Sequence, residues 1–127
     1  MLVNELKDIS RPLVTSIGDD AIHVSGRCFT VSLLLHDDQV QTQDVPARFG
    51  DLTASHILGL WTDEDARPEI VIIGCGPRSH LPSRELRVAL RDAGLSCEFM
   101  PTHAAARTYN LIVAEGRRVS AFLLLGD

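Results

Sequence analysis

Apolar spacing divides this chain into a β-rich first half and a strand–helix–strand–helix–strand second half. Residues 1–19 are mixed in polarity, and residues 1–15 predict a loosely packed arm whose end, 13–17, adds a short edge strand. Over 21–25, Ile22 and Val24 fall on one side and His23 and Ser25 on the other, the mark of a half-buried strand. After Gly26 and Arg27, Phe29, Val31, Leu33 and Leu35 alternate with Thr30, Ser32 and Leu34, which predicts a longer second strand over 29–35. His36, Asp37 and Asp38 read as a polar turn before a third strand at 39–45. Together the three predict an antiparallel β-meander.

The segment 46–51 is a breaker. Asp51 or Thr53 then suits the cap of a short helix reaching about Leu60. Trp61, the only tryptophan, is expected to be a buried anchor. Asp63, Glu64 and Asp65 form a solvated loop, because they lack the glycine and following glutamate of a calcium-binding loop.

Pro68 marks entry to the next strand. Ile70, Val71, Ile72 and Ile73 are uniformly apolar and β-branched, as a central strand covered on both faces should be. Pro82 suits the first turn of a helix, and Leu86, Ala89, Leu90 and Ala93 repeat as its buried stripe. Gly94 stops it. A strand at 97–100 follows. Thr102 is the expected N-cap of a second helix with Ala105, Tyr109, Ile112 and Val113 inward. Gly116 ends that helix, and 119–125 closes the sheet. With neither repeat nor linker, 1–127 reads as one α/β domain.

Composition narrows the function classes. The 127 residues are 45% hydrophobic with a formal charge of −5, enough chain to bury about two-thirds of its extended surface. An acidic balance argues against nucleic acid, which calls for a basic face, and against anionic lipid. No apolar run approaches the roughly 18–20 residues of a membrane span. The start shows neither a signal-peptide apolar region nor a transit-peptide composition. Cys28, Cys75 and Cys97 are odd in number and far apart, giving neither a disulfide framework nor a zinc site. A reduced, cytoplasmic setting is the expectation, with no cofactor implied.

Ligands of open α/β sheets bind beyond the carboxyl ends of parallel strands. If strands 70–74 and 97–100 are parallel neighbours, that edge collects Gly74, Cys75, Gly76, Arg78, Ser79 and His80 from one loop. Thr102, His103 and Arg107 come from the next. Free N–H groups at helix starts and two arginines would suit a carboxylate or phosphate. Equally, the glycines turn the chain tightly, Arg107 pairs with an acid and Tyr109 is core. The G-C-G-P run matches neither a dinucleotide nor a P-loop fingerprint. Cys75 beside His80 or His103 would form a nucleophile and base, or with both a metal site, but buried cysteine is commonly an apolar filler. His23, His36 and His56 have no ligand spacing. Arg84, Arg87 and Arg91 form a basic stripe, interrupted by Glu85 and Asp92: a solvated face, or a docking stripe for an acidic protein.

At 24–35 (VSGRCFTVSLLL), 70–76 (IVIIGCG) and 102–125 (THAAARTYNLIVAEGRRVSAFLLL), the chain resembles the small single-domain proteins of unknown function that include the mitochondrial complex I assembly factor 3 proteins. The resemblance runs over about 16–125. Its most specific motif is Arg107-Thr108-Tyr109-Asn110 followed by Glu115-Gly116-Arg117-Arg118-Val119. It implies a three-layer β+α/β/α domain with a central mixed sheet and an antiparallel β-meander layer, no established catalysis and, in the mitochondrial members, an assembly role through protein contacts. Family members commonly carry cysteine where this chain has Ala106 and threonine where it has Cys75. The matched pocket residues are Gly74, Gly76, Arg107, Tyr109 and Asn110. The leading expectation is therefore a non-enzymatic protein-binding or assembly domain. The alternative is an anionic-metabolite pocket using Gly74, Cys75, Gly76, Arg78, His103, Arg107, Tyr109 and Asn110. A homodimer paired through the edge at 29–35 is a third.

Overall fold

The computed structural model describes residues 11–127. Its order is β1 (Val14–Ile17), β2 (Ile22–Val24), β3 (Arg27–Phe29), β4 (Leu33–His36), β5 (Gln39–Gln41), α1 (Ala54–Leu58), β6 (Ile70–Gly74), α2 (Arg84–Asp92), β7 (Cys97–Met100), α3 (Thr102–Ala114) and β8 (Val119–Leu123). Of the arm expected over residues 1–15, residues 1–10 lie outside the described part, while Val14 and Thr15 already belong to β1.

Two sheets result: an antiparallel β1-β2-β3 meander and a mixed five-stranded sheet in the order β5-β4-β8-β6-β7. In the larger sheet β6 runs parallel to β7 and β8, and β4 runs antiparallel to β8. The strand period of two divides its side chains between two cores. Leu33, Leu35, Ile70, Ile72, Ala121 and Leu123 meet α3 and the small sheet on one face. Leu34, Val71, Ile73, Phe122 and Leu124 meet α1 and α2 on the other. Both faces are covered, so β4, β6 and β8 read as continuous apolar runs. The result is the three-layer α/β fold.

The helix ends follow local rules. Ser83 accepts the Leu86 N–H at 3.1 Å and caps α2; Pro82 precedes that cap and is not in the first helical turn. At its other end, Leu95 N–H donates to Leu90 O (3.1 Å) and Gly94 N–H to Arg91 O (3.0 Å), with Gly94 at φ +67°. That paired closure requires a left-handed residue, and glycine adopts it without a Cβ penalty. Gly116 ends α3 in the same way.

The single strand expected at 29–35 is two strands in different sheets. Phe29 ends β3, Leu33 begins β4, and the third expected strand is only Gln39–Gln41. The meander layer is therefore built from β1, β2 and β3, not from 21–45. Ser32 causes the break: its hydroxyl accepts the Leu125 N–H at 2.8 Å and donates to Ala47 O at 3.1 Å. The chain crosses between layers there, which alternation alone does not reveal. The dimer edge at 29–35 does not exist as one strand.

Trp61 is half-buried rather than a buried anchor. Its indole N–H needs an acceptor and takes Glu64 Oε2 at 3.2 Å, while the Arg67 guanidinium lies 5.4 Å from the ring centre. Glu64 to Ala66 form a 3-10 turn, capped by Asp63, which accepts the Asp65 N–H at 3.1 Å. α1 stops at Leu58, short of Leu60, and Thr53 is its N-cap.

Ser32→Ala removes one acceptor and one donor from a site that is nearly closed to water. Each buried group left unpaired costs about 1–3 kcal/mol. The urea midpoint of Ser32→Ala is expected to fall accordingly, whereas Ser79→Ala, in the exposed loop, should leave it within about 0.5 kcal/mol of wild type.

Candidate functional site

The carboxyl ends of β6, β7 and β8 converge on the N-terminus of α3, and the backbone there is paired with itself. Cys75 N–H donates to Met100 O at 2.8 Å, Thr102 N–H to Gly76 O at 2.9 Å, and Leu124 N–H to Gly74 O at 3.1 Å. Thr102 joins all three segments: its hydroxyl accepts the Gly76 N–H at 2.9 Å and donates to Leu124 O at 2.6 Å. Thr102 is therefore not the expected N-cap. Pro101 holds that position, and Thr102 is a buried clasp in the first turn. The glycines serve the same closure. A Cβ on Gly74 would lie 2.9 Å from Thr102 Cα, and one on Gly76, at φ +111°, would strike the Gly126 carbonyl.

Cys75 is fully buried in the core beneath α1 and α2, and burial pushes its thiol up from the ordinary value. A raised pKa disfavours the thiolate that nucleophilic chemistry requires. His80 offers Cys75 only its carbonyl, at 4.0 Å. The His80 ring stacks on Phe49 with centroids 5.5 Å apart, and its Nε2 stands 4.0 Å from Asp127 Oδ1. His103 belongs to the other side of the sheet, on α3, where it borders a cleft of about 250 Å³ with Ile17, Asp19, Gly76 and Leu125. Cys75 and His103 are thus not brought together. Among the described residues, no group of three or more His, Cys, Asp or Glu is arranged to hold a metal.

The two arginines separate as well. Arg78 is exposed and takes both carboxylate oxygens of Asp127 at 3.1 and 3.2 Å. Arg107 lines a different depression, of about 200 Å³, with β1, His103, Ala106 and Asn110. It forms no hydrogen bond or ion pair among the described residues.

The remaining motif residues hold β1 in place. Asn110 donates from Nδ2 to Val14 O at 2.7 Å and accepts the Val14 N–H on Oδ1 at 3.0 Å. One side-chain amide thus satisfies a strand-edge residue as a neighbouring strand would. Tyr109 is buried and donates its hydroxyl to Pro12 O at 3.1 Å. In the second half of the motif, Arg118 N–H donates to Glu69 Oε2 at 3.2 Å and Arg117 Nε to Glu69 Oε1 at 3.3 Å, which hold the Glu69 carboxyl below its ordinary value. The Arg118 guanidinium donates to the carbonyls of Asp65 and Arg67.

Besides those of Ser32 and Asn110, two polar contacts escaped the sequence reading. One is the Thr102 clasp. The other is His36 Nδ1 against Ser120 Oγ at 2.7 Å, in which the serine is buried and closed to any substrate. Neither leaves a local signal, since the partners are far apart in the chain.

Burial raises the Tyr109 phenol from 10.0 to about 12. Between those values the folded chain keeps a proton that the unfolded chain has released. The stabilisation is complete below pH 10 and is lost as pH rises towards 12. Because Tyr109 is the only tyrosine, phenolate absorbance reads it alone. A midpoint near 12 is expected for folded protein and near 10 in denaturant, with a urea midpoint that declines across that window.

No helix among the described residues is long and apolar enough to cross a membrane. The chain is 42% identical over 57 residues to the 13 kDa major membrane protein of Francisella tularensis, an alignment covering 45% of this chain and 46% of that protein. It is 32% identical over 74 residues to human NADH dehydrogenase (ubiquinone) 1 alpha subcomplex assembly factor 3, covering 58% of this chain and 40% of that protein. These alignments span less than half the length of either curated relative. A crystal structure of a Bordetella parapertussis protein superposes with a TM-score of 0.77 at 37% identity, covering 91% of this chain and 96% of that one. The family model described as "Protein of unknown function (DUF498/DUF598)" matches residues 14–124, and the chain belongs to that family.

Proposed function

We propose that this domain is a non-enzymatic, assembly-factor-like protein-binding module that meets its partner through its outer surface. The carrying observation is Arg107. Its motif neighbours Tyr109 and Asn110 are used up in holding β1. Arg107 is left exposed beside them, without a carboxylate among the described residues. An arginine presented on a rigid helix next to a shallow depression suits a carboxylate on a partner protein. The relation to a human protein named as an assembly factor supports the same reading.

The small-anion alternative has less support. Arg78 is spent on Asp127, the Gly76 N–H is taken by Thr102, and the cleft bordered by His103 also carries the Asp19 carboxylate. That leaves neither the cleft beside Gly76 nor the depression beside Arg107 with two arginines around it. A reduced, cytoplasmic setting fits the three free cysteines.

Affinity capture from source-cell lysate, with wild type and Arg107→Ala in parallel, tests the proposal. A charged hydrogen bond contributes about 1.5–3 kcal/mol, so recovery of a specific partner should fall by one to two orders of magnitude in the variant. Equal recovery by both proteins would sink the assignment to Arg107.

A further inference from the structure

We propose that the outward face of α2 is a second contact surface, which takes an acidic segment of a partner protein carrying at least one large apolar side chain. Arg84, Arg87 and Arg91 would receive its carboxylates, and Leu81 with Val88 its apolar residue. The inference rests on the protein-binding reading for the class of partner, but it involves a different face.

Helix geometry separates the charges on α2. Leu86 and Leu90 are buried against the sheet. Arg84, Arg87 and Arg91 share one stripe of the opposite side, being three and four residues apart, while Glu85 and Asp92, seven apart, share the other flank. Like charges at these spacings oppose helix formation, and here little offsets them. The side chains of Arg84 and Arg87 form no ion pair or hydrogen bond among the described residues, and that of Arg91 reaches only its sequence neighbour Asp92, at 3.7 Å.

Five arginines outside α2 do have a carboxylate partner. Arg11, Arg48, Arg67, Arg78 and Arg117 each pair with a carboxylate. Arg27, Arg107 and Arg118 also lack a carboxylate among the described residues, but in a chain of formal charge −5 only Arg84 and Arg87 are two such cations one turn apart on the same helix.

The apolar half of the surface is equally unusual. Leu81, two residues before the Ser83 cap, is 93% exposed, the most exposed large hydrophobic residue described. Val88 is partly exposed on the outward side of α2, four residues after Arg84 and four before Asp92. Exposed apolar side chains close in sequence to exposed arginines match the residue types enriched at protein–protein contact surfaces. The overall negative charge disfavours a polyanion such as DNA or an anionic bilayer, whose attraction depends on many cations acting together. An acidic peptide needs only a few.

The test is fluorescence anisotropy with a fluorescein-labelled peptide of repeating Glu-Glu-Leu units. Wild type, the double variant R84E/R87E, L81D and R107A are compared at two salt concentrations. Saturable binding to wild type is expected to weaken by roughly tenfold or more in R84E/R87E, which removes and reverses the facing charges. It should also weaken in L81D and in high salt, and persist in R107A. All four positions are exposed, so unchanged circular dichroism is expected and separates lost binding from lost folding. Absence of binding to wild type, or equal binding by R84E/R87E, overturns the proposal. So does tighter binding of duplex DNA or phosphatidylserine vesicles through the same arginines. A lysate partner that is lost in R107A but unaffected by R84E/R87E would overturn the α2 face alone and leave the protein-binding reading standing.

Discussion

The packing at the carboxyl ends of β6 and β8 depends on one hydroxyl. The loops after β6 and β8 bring backbone donors and acceptors into a space closed to water, where each must find a partner. Thr102 serves two of them at once, taking the Gly76 N–H and giving its own proton to Leu124 O. This contact ties α3 to the ends of two strands. It also uses the very amide that a strand–glycine–helix arrangement would otherwise turn towards an anion.

The character of the surface follows from that closure. α3 is fixed against β6 and β8, and its inner face then receives β1 through Asn110 and Tyr109. The side of α3 towards water is left with Arg107, and α2 across the sheet with its arginine stripe. Arg107 and the α2 arginines therefore lie on separate outer faces of the domain.

Much of this was legible in the chain because it is local. The uniform run at Ile70 to Ile73 announced a strand covered on both faces, and Gly94 and Gly116 announced left-handed helix ends. What was hidden is non-local. Ser32 splits an alternating run because its partners are Ala47 and Leu125, the latter 93 residues away. Thr102 resembled a helix cap because threonine after proline commonly is one, and nothing nearby points to Leu124, 22 residues on. Asn110 passed as a pocket residue because the backbone it satisfies lies 96 residues earlier. Tyr109 and Asn110, read from the sequence as pocket residues, are engaged in holding β1 to α3.

The most direct measurement follows the Gly76 amide by two-dimensional nitrogen–proton NMR, in hydrogen exchange and in a titration with inorganic phosphate. A closed edge predicts slow exchange and no phosphate-dependent shift at Gly76, with any response confined to exposed arginine side chains. Rapid exchange, or a saturable shift of Gly76 with phosphate, would mean that the Thr102 clasp opens and that the edge is a binding site after all.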